Sequence, residues 1–256
     1  MMFLKAVSAA RRTYPVVTSG LKLYLDAYNT RSYPGTGSTW YDLSNSAYNM
    51  TNTGGTWTVS AGRRYFELDG VNDYITGTSN TTLFSINTVG YTWSIWIYYV
   101  TAPALLDAII EERHNGSGQS YYFDNRNVGA TNGNGWCIRT YVPTPAVERG
   151  TTFNQTITTG TWQHACATFT YTTATTGTFR IYLNGSVVIA TAQTLPSSNW
   201  QNANVNTYPV IGALDFNGVL QRFNNIRVGE VLNYNRPLTA TEISNNYNST
   251  KSNYGL

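Results

Sequence analysis

The sequence predicts an all-β fold: a sandwich of short antiparallel strands, preceded by an N-terminal arm and closed by one short helix. Three observations carry this. Charged residues make up only 11% of the 256 residues, against roughly 25% in an average soluble chain, so Thr, Asn, Ser and Gly must supply solubility, and these residues suit turns and strand surfaces better than helices. Aromatic residues reach 14%, with 20 Tyr and 7 Trp, which favours pleated surfaces. From Leu21 onward, short alternating segments are separated by turn chemistry at regular intervals, the pattern of a sandwich and not of a parallel α/β sheet.

Taken in order, residues 1–19 form the arm. Phe3 to Ala10 has the makings of one or two helical turns, and Thr13-Tyr14-Pro15-Val16-Val17 reads as extended because of its proline. Leu21, Leu23 and Leu25 alternate with Lys22 and Tyr24 as a half-buried strand. Tyr33-Pro34-Gly35-Thr36-Gly37 and Ser44-Asn45-Ser46 are turns, and Tyr65 to Leu68 is a strand ended by Asp69-Gly70. Tyr91 to Val100 is the clearest strand. Trp93, Ile95 and Ile97 share one face and Trp96 and Tyr98 the other, so it is expected to be central. Residues 101–135 read as irregular. Strands resume at Trp136–Tyr141, Trp162–Tyr171 and Phe179–Leu183. Asn184-Gly185 then supplies a hairpin turn of the kind that needs positive φ, and Ser186–Ala190 is the return strand. Pro209–Leu214, Val219–Phe223 and Ile226–Tyr234 complete the set. Thr239 with Glu242 is a capping box, with Ile243 and Tyr247 on one face of the helix that follows.

Charge and cysteine usage narrow the function classes. The net charge is +3, and the basic pairs Arg11-Arg12 and Arg63-Arg64 read as solvated surface, without the longer stripe that nucleic acid requires. No stretch is apolar for the length needed to span a membrane, and residues 1–10 lack the basic lead of a signal peptide. Cys137 and Cys166 both fall in strands and read as buried free thiols, a single bridge between neighbouring strands being the alternative. This usage is compatible with assembly in a reducing cytoplasm.

Several segments then align with one family. Gly20–Ala27, Asn29–Gly37 and Thr39–Ser44 resemble the opening of laminin-G-like, concanavalin A-like jelly rolls of the kind found as structural parts of bacteriophage particles. Glu67-Leu68-Asp69-Gly70-Val71-Asn72-Asp73-Tyr74-Ile75 resembles that family's Phe-Asp-Gly-Val-Asn-Asp-Tyr element, with Leu68 in the usual Phe position. Tyr91–Tyr98, Trp162-Gln163-His164, Ile181–Gly185 and Tyr234-Asn235-Arg236-Pro237-Leu238 through Ile243 follow in the family's order. The resemblance covers residues 20–250 and leaves 1–19 outside it. It implies a two-sheet antiparallel jelly-roll sandwich over residues 20–256, with Trp40, Trp93, Trp162, His164 and Tyr234 chiefly framework.

Candidate sites follow from side-chain chemistry. A glucanase of this fold would place Glu-x-Asp-x-Glu along one strand, so that its carboxylates share a face. Asp107, Glu111 and Glu112 have the wrong spacing, and Glu67 and Asp69 lack a third partner. His114, expected in a loop, and His164 have neither zinc nor cysteine-paired spacing. The expectation is a non-enzymatic protein requiring no cofactor. Asp69, Asn72 and Asp73 offer oxygen ligands for a structural calcium, set against their reading as turn formers. Trp96 and Tyr98 are candidates for stacking on glycan rings, with Tyr121, Tyr122 and Trp136 as a rim; the alternative is that a strand apolar on both faces is covered on both. The arm could reach about 60 Å if extended, with Phe3, Leu4, Val7, Tyr14 and Val16 as docking anchors. The expected role is a virion structural protein, multicopy or homo-oligomeric, assembled in the host cytoplasm and attached by the arm to a capsid, neck or tail protein. A carbohydrate-binding module for host-glycan adhesion is the alternative, and a glycoside hydrolase the third reading.

Overall fold

The computed structural model describes residues 16–78, 89–104, 107–114, 120–125, 135–143, 146–173, 175–195, 207–216 and 218–256. In chain order the described elements are β1 (Leu21–Asp26), β2 (Thr39–Trp40), β3 (Met50–Thr53), β4 (Thr56–Ser60), β5 (Arg63–Asp69), β6 (Tyr74–Thr76), β7 (Gly90–Tyr99), β8 (Asp107–His114) and β9 (Ser120–Asn125). There follow β10 (Trp136–Pro143), β11 (Ala146–Phe153), β12 (Trp162–Thr173), β13 (Thr176–Leu183), β14 (Ser186–Thr194), β15 (Thr207–Ile211), β16 (Leu214–Phe216), β17 (Val219–Gln221), β18 (Asn225–Tyr234), helix α1 (Ala240–Thr250) and a 3₁₀ turn at Lys251–Asn253.

Two antiparallel sheets lie face to face, as expected, and β16 and β17 pair in a separate two-stranded sheet. The first runs β14-β13-β12-β7-β18-β5-β4, with β1 also paired to β18; the second runs β11-β10-β9-β8-β15-β6-β3-β2. β7 is central, flanked by β12 and β18. Its odd residues Tyr91, Trp93, Ile95, Ile97 and Tyr99 enter the core between the sheets, where they meet Trp40, Ile110, Phe123, Trp136 and Ile138 from the second sheet. Gly90 opens β7 at φ +130°, and an added Cβ would lie 2.0 Å from the carbonyl oxygen of Phe169, so only glycine fits there. The Asn184-Gly185 turn has both residues at positive φ, 50° and 79°, as a tight hairpin requires.

Residues 101–135 depart from the sequence reading. They supply two full strands, β8 and β9, in the middle of the second sheet, and His114 ends β8 instead of lying in a loop. Their alternation is hidden because a bulge between Ala108 and Ile110 breaks the period of two. Strands β2, β3, β4 and β11 also went unread, being short or built of Thr, Gly and charged residues with little apolar signal.

The helix forms where the capping box predicts it. Thr239 Oγ1 accepts from the Glu242 N–H at 3.2 Å, and Glu242 Oε2 accepts from the Thr239 N–H at 2.9 Å. Arg236 adds a two-point ion pair to the same carboxylate, which pulls the Glu242 carboxyl down to about 2. Ile243 is buried against Val16, Cys166, Tyr182, Leu232, Tyr234 and Leu238, docking a helix too short to stand alone. Thr239→Ala is expected to cost about 1 kcal/mol in urea unfolding; an unchanged midpoint would show that docking alone holds the helix.

Val16 and Val17, allotted by sequence to the arm, pack on the sandwich. Val16 is buried beside Ile243, the Val17 N–H donates to Asn246 Oδ1 at 2.9 Å, and Tyr234 Oη donates to the Val17 carbonyl at 2.9 Å. The other arm anchors, Phe3, Leu4, Val7 and Tyr14, lie outside the described residues. Cys137 in β10 and Cys166 in β12 are buried, lie on different sheets and are not joined in a disulfide. No helix among the described residues is long and apolar enough to cross a membrane.

Candidate functional site

The even residues of β7 face outward from the first sheet, and the C-terminal segment covers most of them. Thr92 Oγ1 donates to the Arg236 carbonyl and accepts from the Leu238 N–H. Ser94 Oγ lies 2.8 Å from His164 Nε2. Trp96 is fully buried, stacked on Tyr254 at 4.2 Å and 18°, and its Nε1 donates to Thr250 Oγ1 at 2.8 Å. Only Tyr98, beyond the end of this cover, is partly exposed to solvent. The two aromatics paired by sequence as glycan-stacking candidates therefore separate. No sugar ring can reach the face of Trp96, which corrects its expected role, whereas Tyr98 remains accessible. The proposed rim does not join them. Tyr121 and Trp136 are buried between the sheets, and Tyr122 is on the second sheet beneath the Arg139 guanidinium at 3.8 Å.

Tyr98 borders a cleft of about 320 Å³. Tyr65, Trp162 and Tyr254 form its aromatic floor, the Ser60–Arg63 turn and Gly160-Thr161 its sides, and Gly255-Leu256 its end. Trp162 lies 5.7 Å from Tyr98 and 4.8 Å from Tyr254 between ring centroids. Arg227 from β18 stands over the Tyr98 and Tyr65 rings at 4.7 and 5.0 Å, a cation–π arrangement, and its Nε donates to Glu67 Oε2 at 2.8 Å. Arg63 Nε donates to the Tyr254 carbonyl at 3.1 Å. Sequence reasoning had read Arg63 as solvated surface and Trp162 as framework, and had not singled out Arg227. The one available signal was an arginine alternating with Ile226 and Val228 in a strand that is otherwise apolar.

Two other hollows lie on the second sheet. One, of about 370 Å³, is lined by Tyr74, Tyr208, Asp215 and Leu220, and there the Tyr208 hydroxyl bonds the Asp215 carboxylate. The other, of about 230 Å³, is lined by Arg139 and Glu148, and there Arg139 is engaged by Asp124 at 2.7 Å and Glu148 at 2.8 Å. Both use their charged groups internally. The Tyr98 cleft combines an accessible ring with arginines that each contribute a single nitrogen to the hydrogen bonds within the described residues.

The acidic cluster of the sequence disperses in space. Asp107 Oδ2 accepts from the Ala104 N–H, Glu111 Oε2 accepts from the Asp215 N–H at 2.6 Å, and Glu112 points the other way into the core beside Tyr91 and Tyr121. Adjacent strand residues face opposite sides of a sheet, so Glu111 and Glu112 cannot act on one substrate. Burial raises the Glu112 carboxyl well above its ordinary range, and the Trp93 indole hydrogen bond only partly offsets this. His164 forms a serine–histidine contact that sequence spacing did not reveal, but burial lowers it to about 3 and its Nδ1 has no partner among the described residues. The imidazole is held by Ser94 and packed against Trp96 and Tyr247 beneath the helix, a setting that suits the framework part the family resemblance implies.

The calcium candidates act as turn formers. Asp69 Oδ1 accepts from the Val71 and Asn72 N–H groups at 2.7 and 3.3 Å, and Asp73 Oδ2 accepts from the Asp69 N–H at 3.0 Å. Asp73 is buried and its carboxyl raised by that burial. Among the described residues, no group of three or more His, Cys, Asp or Glu side chains is arranged to hold a metal ion.

Comparison with known proteins places this geometry. A family model described as the concanavalin A-like lectin/glucanases superfamily matches residues 68–244. No curated protein matches the sequence. Similar solved structures include the receptor binding domain of the botulinum neurotoxin C/D mosaic serotype, with TM-score 0.64 and 14% identity over 91% of this chain and 52% of that one. The botulinum neurotoxin type C structure, reported for cell entry dependent upon interaction with two ganglioside molecules, has TM-score 0.62 and 15% identity over 90% and 51%. The binding domain of botulinum neurotoxin DC in complex with rat synaptotagmin II has TM-score 0.59 and 15% identity over 90% and 51%. The chain spans about half the length of these structures, and at such identities the likeness is one of fold. The family model covers well over half of the sequence and ends in the capped helix, and the two-sheet sandwich agrees with it: the chain belongs to the concanavalin A-like lectin/glucanases superfamily.

Proposed function

We propose that this protein is a non-enzymatic recognition jelly roll that binds glycans in the Tyr98 cleft, and that it serves as a displayed structural component of a bacteriophage particle. The observation that carries the first part is the cleft itself, an accessible tyrosine beside Trp162 with arginine donors around it. Apolar rings with a few convergent polar groups are the usual composition of a ligand site. The ganglioside interaction reported for a structure of the same fold lends support by analogy. The non-enzymatic reading is supported by Glu111 and Glu112 lying on opposite faces and by the burial of the Ser94–His164 contact.

The particle setting rests on the resemblance of residues 20–250 to phage structural jelly rolls. It is supported by the docking of Val16 and Val17, which gives whatever precedes them a fixed starting point beside α1. In this setting the N-terminal segment attaches the domain, in multiple copies, to a capsid, neck or tail protein, and the cleft faces host glycans.

A glycan array probed with the intact protein and with Tyr98→Ala tests the binding reading. The expected result is a defined set of bound glycans whose binding falls about tenfold or more in the variant, as for loss of an aromatic anchor, with a stability in urea within about 1 kcal/mol of the parent. A silent array, or full binding by the variant, would sink it. Immunogold labelling of virus particles tests the setting, which predicts regular label on the head, neck or tail and fails if intact particles stay unlabelled.

A further inference from the structure

Arg63 and Arg227 share an unusual disposition. Each guanidinium is tied down through Nε, Arg63 to the Tyr254 carbonyl and Arg227 to Glu67. Among the described residues, neither uses a terminal N–H in a hydrogen bond. The stacking of Arg227 on Tyr98 and Tyr65 further fixes its plane. Both line the same cleft. A guanidinium held at Nε presents its two terminal nitrogens as a rigid fork, which matches the paired oxygens of a carboxylate, sulfate or phosphate. Glu67 is the acidic partner of Arg227, one negative side chain against the two positive ones of Arg227 and Arg63. The side-chain charge around the cleft is therefore positive.

We infer that the ligand of this cleft is an anionic sugar, its ring against Tyr98 and its acidic group in the forks of Arg227 and Arg63. This rests on the glycan-binding reading and narrows it to one chemical class, a pyranose bearing a carboxylate or sulfate. The cleft volume of about 320 Å³ suits one or two rings at the lower end of ordinary ligand sites, so the acidic group should belong to the ring that touches Tyr98.

Nuclear magnetic resonance titration of the intact protein, followed at the Trp162 indole, tests the inference with three probes: a glucuronate-containing disaccharide, the matching neutral disaccharide, and sodium sulfate alone. The expected result is a preference of about tenfold or more for the acidic disaccharide, the scale of a charge-assisted hydrogen bond. Arg227→Gln and, separately, Arg63→Gln should each reduce that preference, with thermal unfolding confirming that each variant is folded. The preference should also weaken as salt is raised from 0.05 to 0.5 M, on the order expected for partly exposed charges. Equal binding of the two disaccharides, or a preference kept in both variants, overturns the anionic assignment and leaves glycan recognition standing. Sulfate binding at Trp162 without binding of either disaccharide supports the forks and removes the glycan reading. Failure of all three probes overturns both.

Discussion

Trp96→Ala is expected to destabilise the fold by about 3–5 kcal/mol, the range for truncating a buried aromatic side chain. Trp96 has no exposed surface, stacks on Tyr254 at 4.2 Å and on Tyr247 at 5.7 Å, and donates its indole N–H to Thr250. The substitution removes the anchor of α1 and the following turn, takes away the hydrogen bond that Thr250 Oγ1 accepts while leaving the one it donates to the Asn246 carbonyl, and opens a cavity over β7. Urea unfolding gives the loss directly, and near-ultraviolet circular dichroism should show the C-terminal aromatic layer loosened. Tyr98→Ala, two residues along the same face but partly exposed, should lie within about 1 kcal/mol of the parent. If Trp96→Ala were as stable as the parent and lost only glycan binding, the covered face described here would be wrong.

Stability should fall as pH rises above the carboxylate range, and Glu112 should be a principal cause. Burial holds both the Glu112 and Glu230 carboxyls well above their ordinary values, with Asp26 adding repulsion at Glu230. The native state therefore keeps protons that the unfolded chain releases above about pH 4.5. Binding more protons in the native state makes stability decrease with pH, at up to about 1.4 kcal/mol per pH unit for each group, until the native group itself ionises. Glu112→Gln keeps the shape and removes the titration. The difference between variant and parent should be small near pH 4 and grow in favour of the variant as pH rises to 7. His164 works in the opposite sense. Held at about 3 by burial, it stays neutral while the unfolded imidazole takes a proton, so its contribution is lost as pH falls from about 6.5 toward 3. The Glu242 ion pair is likewise lost as pH falls from about 4.5 toward 2, but it is partly exposed and adds only about 0.3–1 kcal/mol. A Glu112→Gln difference that is flat from pH 4 to 7 would mean that Glu112 is charged in the native protein.

The fold was legible wherever local chemistry and tertiary packing agree. The two-faced alternation of β7 announced a central strand, Asn184-Gly185 a hairpin, and Thr239 with Glu242 a capped helix. What was lost was lost to local breaks in pattern, as at the bulge between Ala108 and Ile110, or to strands such as β4 that carry little apolar signal. The site was half legible. Alternation placed Trp96 and Tyr98 correctly on one outward face, but which of them would be covered depends on Tyr247 and Tyr254, about 150 residues later in the chain. The cleft draws one or two residues each from β4, β5, β7, β12 and β18 and the rest from loops and the C-terminal turn, so no linear motif encodes it. The acidic run at Asp107, Glu111 and Glu112, set aside on its spacing alone, is also divided in space, because neighbours in sequence are sent to opposite sides of a sheet.

Hydrogen–deuterium exchange on the intact protein, with and without the tightest ligand from the glycan array, tests the central claim most directly. Added protection is expected in the peptides that contain Ser60–Tyr65 and Gly160–Trp162, with β8, β9 and β10 unchanged. Protection confined to the second sheet, around Arg139 or Tyr208, would place the binding surface on the other side of the sandwich and contradict it.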